Sequence, residues 1–119
     1  MNDRPPLTVT VAFERECVVL RLAGALDHRE TPRLRRWANR IAGLSGPVRL
    51  VVDLTGLDDC DAVGTAAVRA MVVTVIEAGG YIVVAGVPPR LREMFGADSL
   101  LTAEAAVELL SSQAVPRRD

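Results

Sequence analysis

Two short runs, Val48 to Leu54 (VRLVVDL) and Tyr81 to Ala85 (YIVVA), are almost wholly apolar, and a helix-length segment closed by Gly79-Gly80 lies between them. Strands this uniformly apolar are buried on both faces of a sheet. A strand, helix and strand in that order demand parallel neighbours joined by a right-handed crossover. This one feature excludes an all-helical bundle and a simple antiparallel sandwich. The fold class is therefore α/β, a single-layer mixed sheet with helices packed on it.

The flanking segments extend the pattern. Residues 8 to 13, TVTVAF, and Cys17 to Leu22, CVVLRL, read as β-branched strands joined by a hairpin at Glu14-Arg15-Glu16, and AGALD ends the second of them. Thr31-Pro32 supplies an N-cap and a first-turn proline for a helix with Leu34, Trp37, Ala38 and Ile41 on one face. Gly43, Gly46 and Pro47 stop it. A second helix is expected from Thr65 to Ala78. Its valines and Ile76 lower intrinsic helicity, which leaves a strand as the competitor. Pro88-Pro89 open a short helix to about Phe95, and Ala103 to Leu110 forms the last. The order is β-β-α-β-α-β-α-(β)-α. With 119 residues, half of them apolar, the chain suits one domain over 1–119, with flexible ends at 1–6 and 113–119.

Charge and composition narrow the function classes. The net charge is −1, so no overall field draws the chain to nucleic acid or to anionic lipid. All 14 basic residues are arginines, and Arg29, Arg33, Arg35, Arg36 and Arg40 fall within the first predicted helix, where a solvated face is the ordinary reading. Asp53, Asp58, Asp59 and Asp61 crowd the junction before the second helix. No segment has the roughly 20 consecutive apolar residues of a membrane span, and MNDRPP has no apolar signal region, so a cytoplasmic protein without membrane insertion is expected. Cys17 and Cys60 lack metal-ligand or C-x-x-C spacing; neither a metal site nor a cofactor is expected. The acidic neighbours of Cys60 disfavour its thiolate. One histidine, His28, no lysine, and no P-loop, G-x-S-x-G or G-x-G-x-x-G argue for binding rather than catalysis.

The junction DDCDAVGTAAV, residues 58 to 68, carries the most specific local signal. Asp61 is placed to cap the second helix, and Gly64 keeps its first turn uncrowded, which would let a partner's backbone approach. Helix initiation alone would also explain both residues. Asp58 and Asp59 read as a solvated loop or as an acidic lip for a partner's arginine. Beyond the junction, the second helix is apolar around most of its circumference, with Thr65, Arg69 and Glu77 as its main polar positions. Such a helix needs a second surface besides the sheet: a neighbouring helix, a partner protein, or a second copy of the chain.

LRLAGALDHRETPRLR (20 to 35) and VVDLTGLDDCDAVGTAAV (51 to 68) together resemble the STAS domain of anti-sigma factor antagonists. The shared marks are a Leu-x-Gly-x-Leu-Asp turn, an Asp-Leu-x-x-Leu strand end, an Asp-x-x-Gly helix start and a late Pro-Pro-x-x-Arg helix. The resemblance implies a small switch protein that binds an anti-sigma factor of the histidine-kinase-like ATPase type. It places the contact at Asp27, Asp59, Asp61, Ala62, Val63, Gly64, Thr65 and Arg69. It also implies a phosphoacceptor two residues after the aspartate, where this chain has Val63; the family's other hydroxyl position is Ala62. The usual switch chemistry is therefore absent, and Thr65 is the nearest substitute acceptor. The alternative is a STAS subunit of a transporter complex, such as a lipid-transport ATPase, or a small-molecule sensor, for which the lost hydroxyls are irrelevant.

Overall fold

The computed structural model describes residues 6–44, 46–95 and 101–112. Strand β1 (Thr8–Glu14) turns through Arg15-Glu16 into β2 (Cys17–Leu26), antiparallel and in unbroken register from Thr8↔Ala23 to Glu14↔Cys17. Arg15 takes a left-handed backbone, φ 57°, which lets the tight turn follow the twist of the two strands. A 3₁₀ turn (His28–Glu30) leads into α1 (Thr31–Ala42); then come β3 (Arg49–Cys60), α2 (Ala62–Glu77) and β4 (Tyr81–Ala85). A 3₁₀ turn at Pro89–Leu91 runs into α3 (Arg92–Phe95), and α4 (Ala103–Ser112) follows. The sheet order is β1-β2-β3-β4, with β2, β3 and β4 parallel and the hairpin strand β1 at one edge. The mixed sheet expected from the pattern is the one observed. The optional strand between α3 and α4 would fall mainly on 96–100, outside the described residues.

The sheet separates two cores. On one face Leu20, Leu22, Leu50, Val52 and Leu54 meet Leu34, Ala38 and Ile41 of α1 and Val68, Met71 and Val75 of α2. On the other, Cys17, Val19, Val51 and Ala85 meet Ala106, Val107 and Leu110 of α4. The apolar stripe of α1 and the two-sided burial of β3 follow from their sequence periods. The competing strand reading of residues 65–78 fails because burial at Val68, Met71 and Val75 follows helical spacing.

Several expectations need correction. β2 does not stop at Leu22 but continues through most of AGALD to Leu26, with Gly24 at φ 96°. β3 likewise runs on through Thr55 to Cys60, so Asp58 and Asp59 sit on a strand rather than in a loop. Two register shifts against β2 explain why pattern reading stops early. Arg21 pairs with Asp53, Ala23 with Gly56 and Ala25 with Asp59, so β3 twice carries an extra residue. Those bulges change the spacing of helix-facing residues on β3 from two to three, through Leu54, Leu57 and Cys60, and destroy the alternation that marks a strand.

Thr31 is not the cap of α1. Glu30 occupies that position without a side-chain capping bond, and Thr31 Oγ1 is buried with no hydrogen-bond partner among the described residues. Arg29 lies in the preceding 3₁₀ turn, outside the helix. Asp53 is also misplaced by the sequence reading. It lies mid-strand, where it accepts from Thr55 N–H (3.0 Å), Thr55 Oγ1 (2.6 Å) and Arg21 Nε (3.4 Å), away from the start of α2.

Leu50 is fully buried between β2, β4 and the helix layer. Its replacement by alanine removes buried methyl groups and leaves a cavity, so Leu50→Ala is expected to cost about 2–5 kcal/mol in urea unfolding.

Candidate functional site

The site forms where the carboxyl ends of β2 and β3 lie side by side. Leu26 pairs with Cys60, which sets Asp27 next to Asp61, and Asp61 N–H donates to the Leu26 carbonyl at 3.3 Å. Asp61 has an extended backbone and accepts from Gly64 N–H at 2.7 Å, a side-chain cap at the positive end of α2.

Gly64 is enclosed by the chain itself. A Cβ there would collide with the Leu26 carbonyl oxygen and come within 2.9 Å of Leu26 Cγ and 3.1 Å of Cys60 Sγ. The expectation that this glycine opens the helix to a partner's backbone is corrected, because the backbone that approaches it belongs to β2. Thr65 also turns inward. It is buried, its hydroxyl donates to the Asp61 carbonyl at 3.0 Å and lies 3.4 Å from Cys60 Sγ. The substitute acceptor suggested by the sequence is thus a buried, hydrogen-bonded hydroxyl with no free path to an incoming phosphoryl group.

Ala62 and Val63 take the opposite direction. Both are exposed, Val63 at 49%, on the first turn of α2. Asp58 is exposed on the last stretch of β3, and Asp59 accepts from Cys60 N–H at 3.0 Å. Arg69 faces outward one helical turn on, but its guanidinium donates to the Met94 carbonyl at 2.8 Å and so ties α3 to α2. Further along α2, Val73 and Ile76 are also exposed.

Asp27 caps the 3₁₀ turn that packs against α2. It accepts from Arg29 N–H (2.9 Å), from Arg29 Nε (3.2 Å to each carboxylate oxygen) and from Arg29 Nη2 (2.7 Å). The Arg29 hydrogen bonds outweigh partial burial and hold its carboxyl at a pKa of about 2. The acidic cluster in the sequence is therefore partly neutralised where the helix begins, and Arg29 is the residue of the site that pattern reading assigned to a solvated helix face. Burial pushes the Cys60 thiol above its ordinary value; the Thr65 hydrogen bond opposes this, and the charges of Asp61 and then Asp59 add smaller upward pushes. Among the described residues no group of three or more potential ligands could hold a metal ion. A groove of about 200 Å³ runs between α1 and α2, lined by Thr31, Arg35, Asn39 and Ala70, below the 300–1,000 Å³ of ordinary small-molecule sites.

Comparison with known proteins bears on this geometry. A family model described as "Mlab, STAS domain" matches residues 9–102. A sequence comparison with curated proteins gives no match. Among solved structures, the anti-sigma factor antagonist SpoIIAA in its unphosphorylated form is similar at 20% identity and TM-score 0.69, covering 91% of this chain and 100% of its own. An anti-sigma factor antagonist from Mycobacterium paratuberculosis reaches TM-score 0.73 at 21% identity over 88% of this chain and 94% of its own. A point variant of RsbS from Moorella thermoacetica reaches 0.66 at 21%, over 86% and 93%. At these identities the likeness is one of fold.

Two measurements check the local chemistry. Gly→Ala inside a helix ordinarily adds up to about 1 kcal/mol of helix propensity, but here the new methyl meets backbone, so Gly64→Ala is expected to destabilise by about 1–3 kcal/mol in urea unfolding. Because the folded pKa of Asp27 lies below its unfolded value near 4, its stabilisation is complete above that value and is lost as pH falls through about 2. Asp27→Asn should accordingly be less stable than the native chain at pH 6, and the gap should narrow between pH 4 and pH 2 in acid-unfolding curves.

Proposed function

This chain belongs to the STAS domain family, and from that premise we propose that it is a regulatory binding protein: a cytoplasmic anti-sigma factor antagonist, one STAS domain over 1–119, whose partner is an anti-sigma factor of the histidine-kinase-like ATPase type. It binds and does not catalyse. The single observation that carries the reading is the exposed first turn of α2, where Ala62 and Val63 stand at the positions of the family's hydroxyls with the rest of the junction built as a cap. Asp58, Ala62 and Val63 supply the outward surface. Asp27, Asp61, Gly64 and Thr65 hold that surface in place from beneath. The likeness in fold to SpoIIAA and to the mycobacterial antagonist supports the same class of partner.

A phosphoryl group adds about −1.5 to −2 charge to a contact surface and ends binding by repulsion and desolvation. Val63 offers no oxygen to receive it. Thr65 lies two positions further on and is buried, whereas in-line transfer tolerates misplacement of about 1 Å poorly. The complex is therefore one that the partner's kinase activity does not dissolve, which makes the protein a constitutive antagonist or a competitor of a switchable one.

The same missing hydroxyls favour a second reading, a STAS subunit of a transporter complex or a sensor module. Affinity purification from the native cell separates the two. A kinase-like anti-sigma factor among the captured proteins supports the antagonist, and a transporter ATPase supports the alternative. If the antagonist reading holds, Ala62→Ser with Val63→Ser should restore labelling by ATP in the presence of the captured kinase, seen as one added phosphoryl group in the intact mass. Complex formation without labelling of that double variant would contradict a switch lost only through its hydroxyls.

A further inference from the structure

Among the described residues, no strand pairs with the outer edge of the seven-residue β1. Among the described residues β1 lies at the end of the sheet and pairs with β2 alone, in unbroken register over all its residues, Thr8 to Glu14. A sheet edge presents unpaired N–H and C=O groups, and proteins ordinarily protect it with prolines, basic side chains, bulges or shortness. β4, the opposite edge, has 5 residues against the 7 of β1. β1 has none of these devices. Its sequence, TVTVAFE, contains no proline, lysine or arginine, and its one charged side chain, Glu14, is ion-paired with Arg21. Beside this edge Phe13 is 77% exposed and Val11 37% exposed, although both lie on the helix-layer side, where Val9 packs against the core.

We propose that the edge of β1 pairs antiparallel with β1 of a second copy of this chain, across a two-fold axis at Val11, to make one continuous eight-stranded sheet. The strand is its own complement in that register. Val11 meets Val11 of the other copy, Val9 meets Phe13, Thr10 meets Ala12, and Thr8 meets Glu14. Apolar side chains thus oppose apolar ones on the helix side, and no like charges face each other. A slip of one residue would set the apolar row of one copy against the polar row of the other, so the pattern selects the register. Pairing covers Val11 and Phe13 and satisfies the edge amides and carbonyls.

The inference goes beyond the proposed function and does not depend on it. Phe13 pairs with Val18 near the start of β2, whereas α2 begins beside Leu26 at its far end. A dimer joined through β1 would carry two partner sites, both open.

Sedimentation velocity of the full chain over a wide concentration range tests the proposal. A species of twice the chain mass is expected, increasing with concentration. Val11→Lys puts two ammonium groups face to face on the axis and should abolish the dimer while leaving the circular dichroism spectrum unchanged. As a second variant, Val11→Cys should form an interchain disulfide under mild oxidation, whereas Thr8→Cys, whose partner is Glu14, should not. A monomer at every concentration would overturn the proposal. So would a dimer that persists in the folded Val11→Lys variant, or one in which Val11→Cys fails to cross-link.

Discussion

The close approach of Gly64 to the Leu26 carbonyl organises the rest of the site. A helix that starts directly on the end of a parallel strand needs a residue without Cβ at the point of contact, and any larger residue would lift the first turn off β2. Through that contact the ends of β2 and β3, the Asp61 cap and the Asp27 turn share one position in space. It also fixes which side chains of the first turn point in and which point out. Thr65 goes inward to the Asp61 carbonyl, and Ala62 and Val63 go outward. The chemistry available at the surface follows from packing that lies entirely beneath it.

The two bulges of β3 have a comparable role. They bend the end of the strand and change which residues face the helices, so that Leu57 and Cys60 remain in the core while Asp58 stays exposed. Had the strand kept strict alternation past Leu54, Leu57 would have faced away from α1 and α2. The acidic residues of the junction are therefore arranged by strand irregularity, with Asp59 engaging the Cys60 amide. Asp53 belongs elsewhere, to a polar network with Arg21 and Thr55 beside Gly86.

Elements with strong periodicity were legible without coordinates. The apolar runs at 48–54 and 81–85, the Leu34–Ala38–Ile41 stripe and the glycines after Ala78 each carry one dominant signal, and β3, β4, α1 and the end of α2 are found there. What pattern reading missed was set by tertiary contact. The extension of β3 is masked by its bulges, the cap expected at Thr31 is displaced by the Asp27 turn, and Arg29 resembles a helix-face arginine until its pairing with Asp27 is visible. At the site, the Asp61 cap was readable from residue type and spacing. The inward turn of Gly64 and Thr65 was not, because it depends on a strand far away in sequence.

The start of α2 is an outward-facing surface at Ala62 and Val63, with its one hydroxyl, that of Thr65, buried. The most direct test of this account is to mix the purified protein with kinase-type anti-sigma factors of the same cell in the presence of ATP, and to measure both complex formation and the intact mass of the chain. The account predicts a complex that survives ATP with the mass unchanged. A phosphoryl adduct, accompanied by loss of the complex, would contradict it.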